Sequence, residues 1–176
     1  MRKEAQMSAT GAPPGPSGHY TVPGLGIRKQ AISKCSGNVL DMAVAMLETD
    51  IMQAFYPYGD GKTLDSANFG IFKQNWFMIR TSVPRYNGLT ASDYNMGATL
   101  NGDLSLDILV LHTSQQFYGI DAWFAGHRDG QSGLSNPNTP DITNYKNAVY
   151  WIRDQLNSDP KYLTDDTRFW VQVPAI

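Results

Sequence analysis

The chain has 176 residues, and its 14 Lys and Arg against 16 Asp and Glu leave a formal net charge of −2. That balance excludes the basic footprint required by nucleic acid or an anionic membrane surface and weighs against anionic peptidoglycan, while no run approaches the roughly 20 apolar residues that span a bilayer. A single cysteine, Cys35, rules out an intrachain disulfide, so the fold must rest on packing, for which a chain of this length suffices.

Residues 1–18, MRKEAQMSATGAPPGPSG, carry no apolar stretch after the basic start and so do not read as a signal peptide. They read as a processed or vector-derived head running into a Pro/Gly/Ser linker, expected to be poorly ordered and to lie outside the fold. No repeat or second Pro/Gly-rich break follows, so residues 19–176 are expected to form one domain.

The first clear element is Asn38 to Thr49, whose Val39, Leu40, Met42, Ala43, Val44, Ala45, Met46 and Leu47 leave almost no polar face. A helix apolar all round is a buried one. Its last turn ends in Glu48, at the edge of the core and at the negative end of the helix dipole, a position that suits a carboxyl kept protonated. Tyr56 to Lys62 is a run of turn formers, within which Asp60 stands between Gly59 and Gly61 in a polar loop that suits an ionised carboxylate.

Asn68 to Phe72 predicts a short strand or turn, with Gly70 where the backbone must be permissive. Lys73 to Thr81 carries Trp76, Met78 and Ile79 and is closed by Pro84. Ser92 to Leu100 is helix-like. In Asp103 to Thr113, Leu104, Asp107, Ile108 and Leu111 make a 3.6-period face. Ile120 to Ala125 is a short apolar segment, and Trp123 to Gly130 runs into a polar turn placed to form a cleft wall. The cleanest amphipathic helix has Ile142, Tyr145, Val149, Ile152 and Leu156 on one face, Asp141 placed to cap it, and Asn157 and Pro160 to end it. Arg168 to Val173 predicts a terminal strand. The fold class expected from this order is α+β, helix-dominated, with a central buried helix and a small β element.

Two carboxyl groups, one protonated and one ionised, are what glycoside hydrolysis needs. Glu48 and Asp60 offer that split, although on composition alone the plainer reading, a helix-end Glu and a solvated loop Asp, stands ahead. The segment Asn68-Phe69-Gly70-Ile71-Phe72-Lys73-Gln74-Asn75 resembles the aromatic-Gly-Ile-large-x-x-Asn segment of lysozymes, which follows a catalytic Glu at a buried helix end by about twenty residues. Animal lysozymes place their second carboxylate just before the aromatic residue, where this chain has Asn68.

A denser resemblance covers Leu47-Glu48-Thr49-Asp50, Tyr58-Gly59-Asp60-Gly61-Lys62-Thr63 and Asp65 to Trp76. These segments are similar to glycoside hydrolase family 134, the β-1,4-mannanases, and the likeness extends more loosely over the rest of the domain. The resemblance implies a lysozyme-like fold and endo-acting, inverting hydrolysis of mannan, with Glu48 as general acid and Asp60 as general base. It also implies a secreted, extracellular enzyme. Inversion requires a water between base and sugar, hence carboxyl groups roughly 6.5–9.5 Å apart.

A neutral polysaccharide offers hydroxyls, so amides, a cation and aromatic faces are expected in the cleft. Lys62, Asp65, Asn68, Gln74, Asn75, Trp76, Trp123 and His127 are the substrate-binding candidates, with Asn68 placed to bond a hydroxyl or orient water. Lys73 is a weaker candidate that reads first as a surface charge, and Trp151 and Trp170 read as core. His19, His112 and His127 show no ligand spacing and no phosphate loop or nucleophile pattern is present, so no metal and no cofactor are expected. The expected partner is mannan or its oligosaccharides, bound by a monomer. Two rivals remain: a lysozyme-like or lytic-transglycosylase enzyme acting on peptidoglycan or chitin, which has no need of Asp60, and a non-catalytic carbohydrate-binding protein.

Overall fold

The structure, a computed structural model, describes residues 12–176. Ten elements follow in chain order: β1 (Ser17–Thr21), α1 (Leu25–Lys34), α2 (Val39–Glu48), β2 (Asn68–Phe69), β3 (Gln74–Asn75), α3 (Trp76–Ser82), α4 (Leu104–Tyr118), α5 (Ile120–Ser135), α6 (Pro140–Asn157) and β4 (Thr167–Val171). Short 3-10 turns link them, and the strands form two antiparallel pairs, β1 with β4 and β2 with β3. The class is the helix-dominated α+β expected. No described helix is long and apolar enough to cross a membrane.

Helix α2 is central because its sequence leaves it nowhere else to go. Met42 to Met46 are at most 2% exposed, and the start is fixed by a capping box in which Asn38 accepts the Asp41 N–H and Asp41 accepts the Asn38 N–H, each at 2.9 Å. Helix α6 lies against it through Tyr145, Val149, Ile152 and Leu156. Thr139 caps α6 with Pro140 in its first turn, which frees Asp141, expected as the cap, for an ion pair with Arg128.

A second, smaller core gathers Phe69, Trp76, Ile79, Tyr86, Leu100 and Val110. Helix α4 serves both cores, turning Ile108 and Leu111 to the first and Leu106 and Val110 to the second.

Two expectations are corrected, and one helix was not foreseen. The fold begins inside the excluded head: Ser17 pairs with Val171, Gly18 with Trp170, and the Pro16 carbonyl accepts the Gln172 N–H at 2.8 Å. Residues 1–11 of that head lie outside the described residues. Helix α1 carried no signal, because its buried face is Leu25, Gly26, Lys29 and Ile32, a set without hydrophobic period. Lys29 Nζ donates at 2.7 Å to the carbonyls of both Tyr162 and Thr167, tying α1 to the approach to β4; burial lowers its pKa, and Asp165 at 3.5 Å opposes the shift. Finally, residues 120–130 are one helix rather than a segment and a turn, broken only at Gly130 (φ 58°, ψ −138°).

Candidate active site

The C-terminal end of α2, the middle of α5, the start of α6 and the loops around β2 and β3 enclose a cleft of about 690 Å³, a size suited to several sugar units. Glu48 and Asp60 both line it.

Glu48 is the last residue of α2, so the buried helix delivers its side chain to the core's edge, 17% exposed. The Tyr145 hydroxyl donates to its Oε1 at 2.5 Å, and His127 Nε2 lies 3.1 Å from the same oxygen. Burial, reinforced by the charge and hydrogen bond of Glu48, lifts the Tyr145 pKa well above its ordinary 10, so this phenol stays a donor. His127 stacks on Trp123 with ring centroids 4.6 Å apart, which fixes its imidazole plane. Arg128 lies 5.5 Å over the Tyr145 ring and grips Asp141 with two 2.8 Å bonds. The surroundings of Glu48 are thus assembled by three helices.

Asp60 is held differently. Gly59, Asp60 and Gly61 are all left-handed (φ 64°, 61° and 70°), a run that requires glycine on either side and turns the aspartate outward into the cleft. Asn68 Nδ2 donates to Asp60 Oδ2 and Lys73 Nζ to Oδ1, both at 3.2 Å. Asn68 opens β2 at the far end of the hairpin and Lys73 lies in its turn, so the hairpin supports the carboxylate.

The hairpin in turn stands on a buried acid. Asp107 of α4 accepts the Ile71 N–H at 2.8 Å and the Gln74 amide at 2.7 Å, while Tyr56 donates to the Gly70 carbonyl at 2.6 Å. Gly70 (φ 77°) has no room for a side chain, since a Cβ there would meet the Asp107 carboxylate at 2.2 Å. Burial pushes the Asp107 pKa up to about 8, against the opposing bonds from Gln74 and Ile71.

Of the substrate-binding candidates, Lys62, Asp65, Asn68, Asn75 and His127 line the cleft. Several already have protein partners. Lys62 donates to the Ile176 carbonyl at 2.8 Å, Asp65 is paired with Arg80, and Asn75 caps α3 while its amide donates to the Gly126 and His127 carbonyls.

Gln74, Trp76 and Trp123 are not at the cleft. Gln74 is 3% exposed and bonded to Asp107; Trp76 is fully buried with its indole N–H on the Thr90 carbonyl; Trp123 is 1% exposed in the main core. Trp151 and Trp170, expected in the core, are the half-buried ones. Indole is large enough to serve either role, and the sequence around these positions did not separate the two. Lys73, read as a surface charge, is a cleft residue paired with Asp60. Tyr145 was missed as a functional residue because it sits on the apolar stripe of α6, where only the polar tip of its ring distinguishes it from core.

The cleft's charges are largely cross-paired: Asp60 with Lys73, Asp65 with Arg80, Arg128 with Asp141. A pair of carboxyl groups in such a cleft is the equipment of a glycoside hydrolase. The chain matches the model of glycosyl hydrolase family 134 over residues 26–173, nearly the whole of its folded length, and belongs to that family. No curated protein matches it.

Proposed function

We propose that the protein is an endo-acting, inverting β-1,4-mannanase in which Glu48 is the general acid and Asp60 the general base. The observation that carries the reading is the convergence of these two carboxyl groups on one cleft in which Lys73, Asp65 and Arg128 each stand in an ion pair. Such a cleft suits a neutral polymer and has little to offer the anionic matrix of peptidoglycan. A polymeric substrate also suits an enzyme that works outside the cell.

In this mechanism Glu48 passes its proton to the glycosidic oxygen as the bond to C1 breaks. Both protein contacts fall on Oε1, which leaves Oε2 to carry that proton. Asp60 takes a proton from a water that attacks C1 from the opposite face of the sugar. Asn68 and Lys73 orient Asp60, each engaging one of its oxygens. Asn68 therefore serves the base directly, in the position where a lysozyme would place a second acid.

The test is incubation of the protein and its Glu48→Gln and Asp60→Asn variants with linear mannan, chitin oligomers and peptidoglycan. Mannan alone should be cleaved, and each variant should lose about a hundredfold or more of the rate. Release of peptidoglycan fragments, or an Asp60→Asn variant as active as the wild type, would contradict the assignment and favour a lytic, single-acid enzyme.

A further inference from the structure

With Trp76 and Trp123 buried, the cleft's aromatic lining among the described residues is Phe77 and Tyr145, and Tyr145 is 2% exposed with its hydroxyl committed to Glu48. Phe77 is half-buried and keeps surface to offer a ligand. We propose that Phe77, flanked by the Asp65–Arg80 ion pair, is a sugar-stacking subsite of the cleft. The inference rests on the reading of the cleft as a glycan-binding one and adds a residue that fixes how tightly the chain is held.

The backbone under Phe77 is anchored on both sides. Asn75, two residues earlier, accepts the Met78 N–H at 2.9 Å and donates to the Gly126 carbonyl at 2.8 Å, which ties the first turn of α3 to α5. The Phe77 carbonyl accepts the Thr81 hydroxyl at 2.6 Å, and Thr81 in turn meets the Tyr118 hydroxyl at 2.6 Å. Arg80 stands 5.5 Å from the centre of the Phe77 ring, which holds the ring from one side.

The same guanidinium grips Asp65 in a two-point bond of 2.7 and 2.8 Å. Asp65, Ser66 and Phe77 all line the cleft. An Arg-bound carboxylate keeps acceptor capacity for sugar hydroxyls without presenting an unbalanced negative charge. A flat apolar ring next to fixed acceptors matches the two faces of a pyranose. The face of a β-linked mannose that bears the axial hydrogens of C1, C3 and C5 is apolar and packs on an aromatic ring, while the ring edge carries hydroxyls. The axial hydroxyl on C2 projects from the other face, so it does not obstruct this stacking.

The experiment measures binding of mannohexaose by calorimetry to the Glu48→Gln protein, which holds the oligosaccharide intact, with and without Phe77→Ala, Phe77→Leu or Phe77→Trp. Because Phe77 also packs against the main core, Phe77→Leu supplies a variant that keeps apolar bulk and loses only the flat face. Affinity should fall about tenfold for Phe77→Ala, nearly as much for Phe77→Leu, and stay within about twofold for Phe77→Trp. In the active protein Phe77→Leu should raise KM and leave kcat on saturating polymer unchanged. Unaltered affinity and KM in a folded Phe77→Leu protein would overturn the subsite while mannan cleavage by the wild type leaves the mannanase reading standing. Conversely, a wild type that leaves mannan intact, yet binds another β-1,4-linked glycan less tightly once Phe77 becomes Leu, would sink the mannanase reading and keep the subsite.

Discussion

The two carboxyl groups of the cleft are set by opposite means. Glu48 ends a buried helix and is contacted by side chains of two more, so the packing of the main core decides where it points. Asp60 sits in a left-handed turn outside both cores, oriented by an amide and an ammonium at either end of a small hairpin. Proton donation to a leaving oxygen rewards a fixed direction. In the proposed mechanism the base must leave room for a water, and Asp60 is placed by its turn and its polar contacts rather than by core packing. Rigidity from packing on one side and from polar contacts on the other is the division of labour that the fold builds.

That contrast can be broken on the acid side first. Tyr145→Phe removes the donor to Glu48 Oε1 and leaves the ring's packing in place, so kcat should fall about thirtyfold, the worth of a hydrogen bond to a charged group, with little loss of thermal stability. An unchanged kcat with a fallen melting temperature would make Tyr145 merely a core residue.

The base side should respond more weakly, because its support is a partly exposed ion pair. Lys73→Met should lower kcat about fivefold with KM nearly unchanged, and added salt should narrow the gap between variant and wild type. A loss as large as that of Tyr145→Phe, insensitive to salt, would erase the distinction between the two sides.

The foundation of the hairpin gives the most specific effect, read in stability rather than in rate. Asp107 stays protonated in the fold up to about 8, whereas in the unfolded chain it ionises above its ordinary 3.8. Between those limits the unfolded chain binds fewer protons, so the stability this group contributes is complete below the lower value and drains away as pH rises toward the higher one. The melting-temperature gap between wild type and Asp107→Asn should therefore narrow as pH rises across that window. A gap that stays constant or widens would show Asp107 to be ionised in the fold.

Legibility in the sequence followed the same divide. Helix α2, its end at Glu48, the apolar stripe of α6 and the terminal strand all announced themselves, since each rests on local pattern: an all-apolar run, a 3.6 period, a β-branched and aromatic stretch. Gly59-Asp60-Gly61 was legible as a turn from its run of turn formers, and Asn68 to Phe72 as a short strand or turn, while its pairing with Gln74-Asn75 as a hairpin was not. What escaped depends on partners distant in sequence. Lys29 looks like a surface residue until two carbonyls more than a hundred positions away receive it. Lys73 looks like a free charge until the turn brings Asp60 to it, and Tyr145 looks like core until Glu48 arrives at its hydroxyl. The tryptophans misled for a related reason: ring size says that a residue is buried or stacked on a ligand, and only the packing of α3 and α5 chooses between them.

The assignment of Glu48 and Asp60 as acid and base on either side of a water is tested most directly by the stereochemistry of the first product. Mannohexaose digested by the wild-type protein and followed by proton NMR from the earliest time should release reducing ends as the α-anomer, ahead of mutarotation. Initial release of the β-anomer would show retention through a covalent intermediate and would remove Asp60 from the role of base.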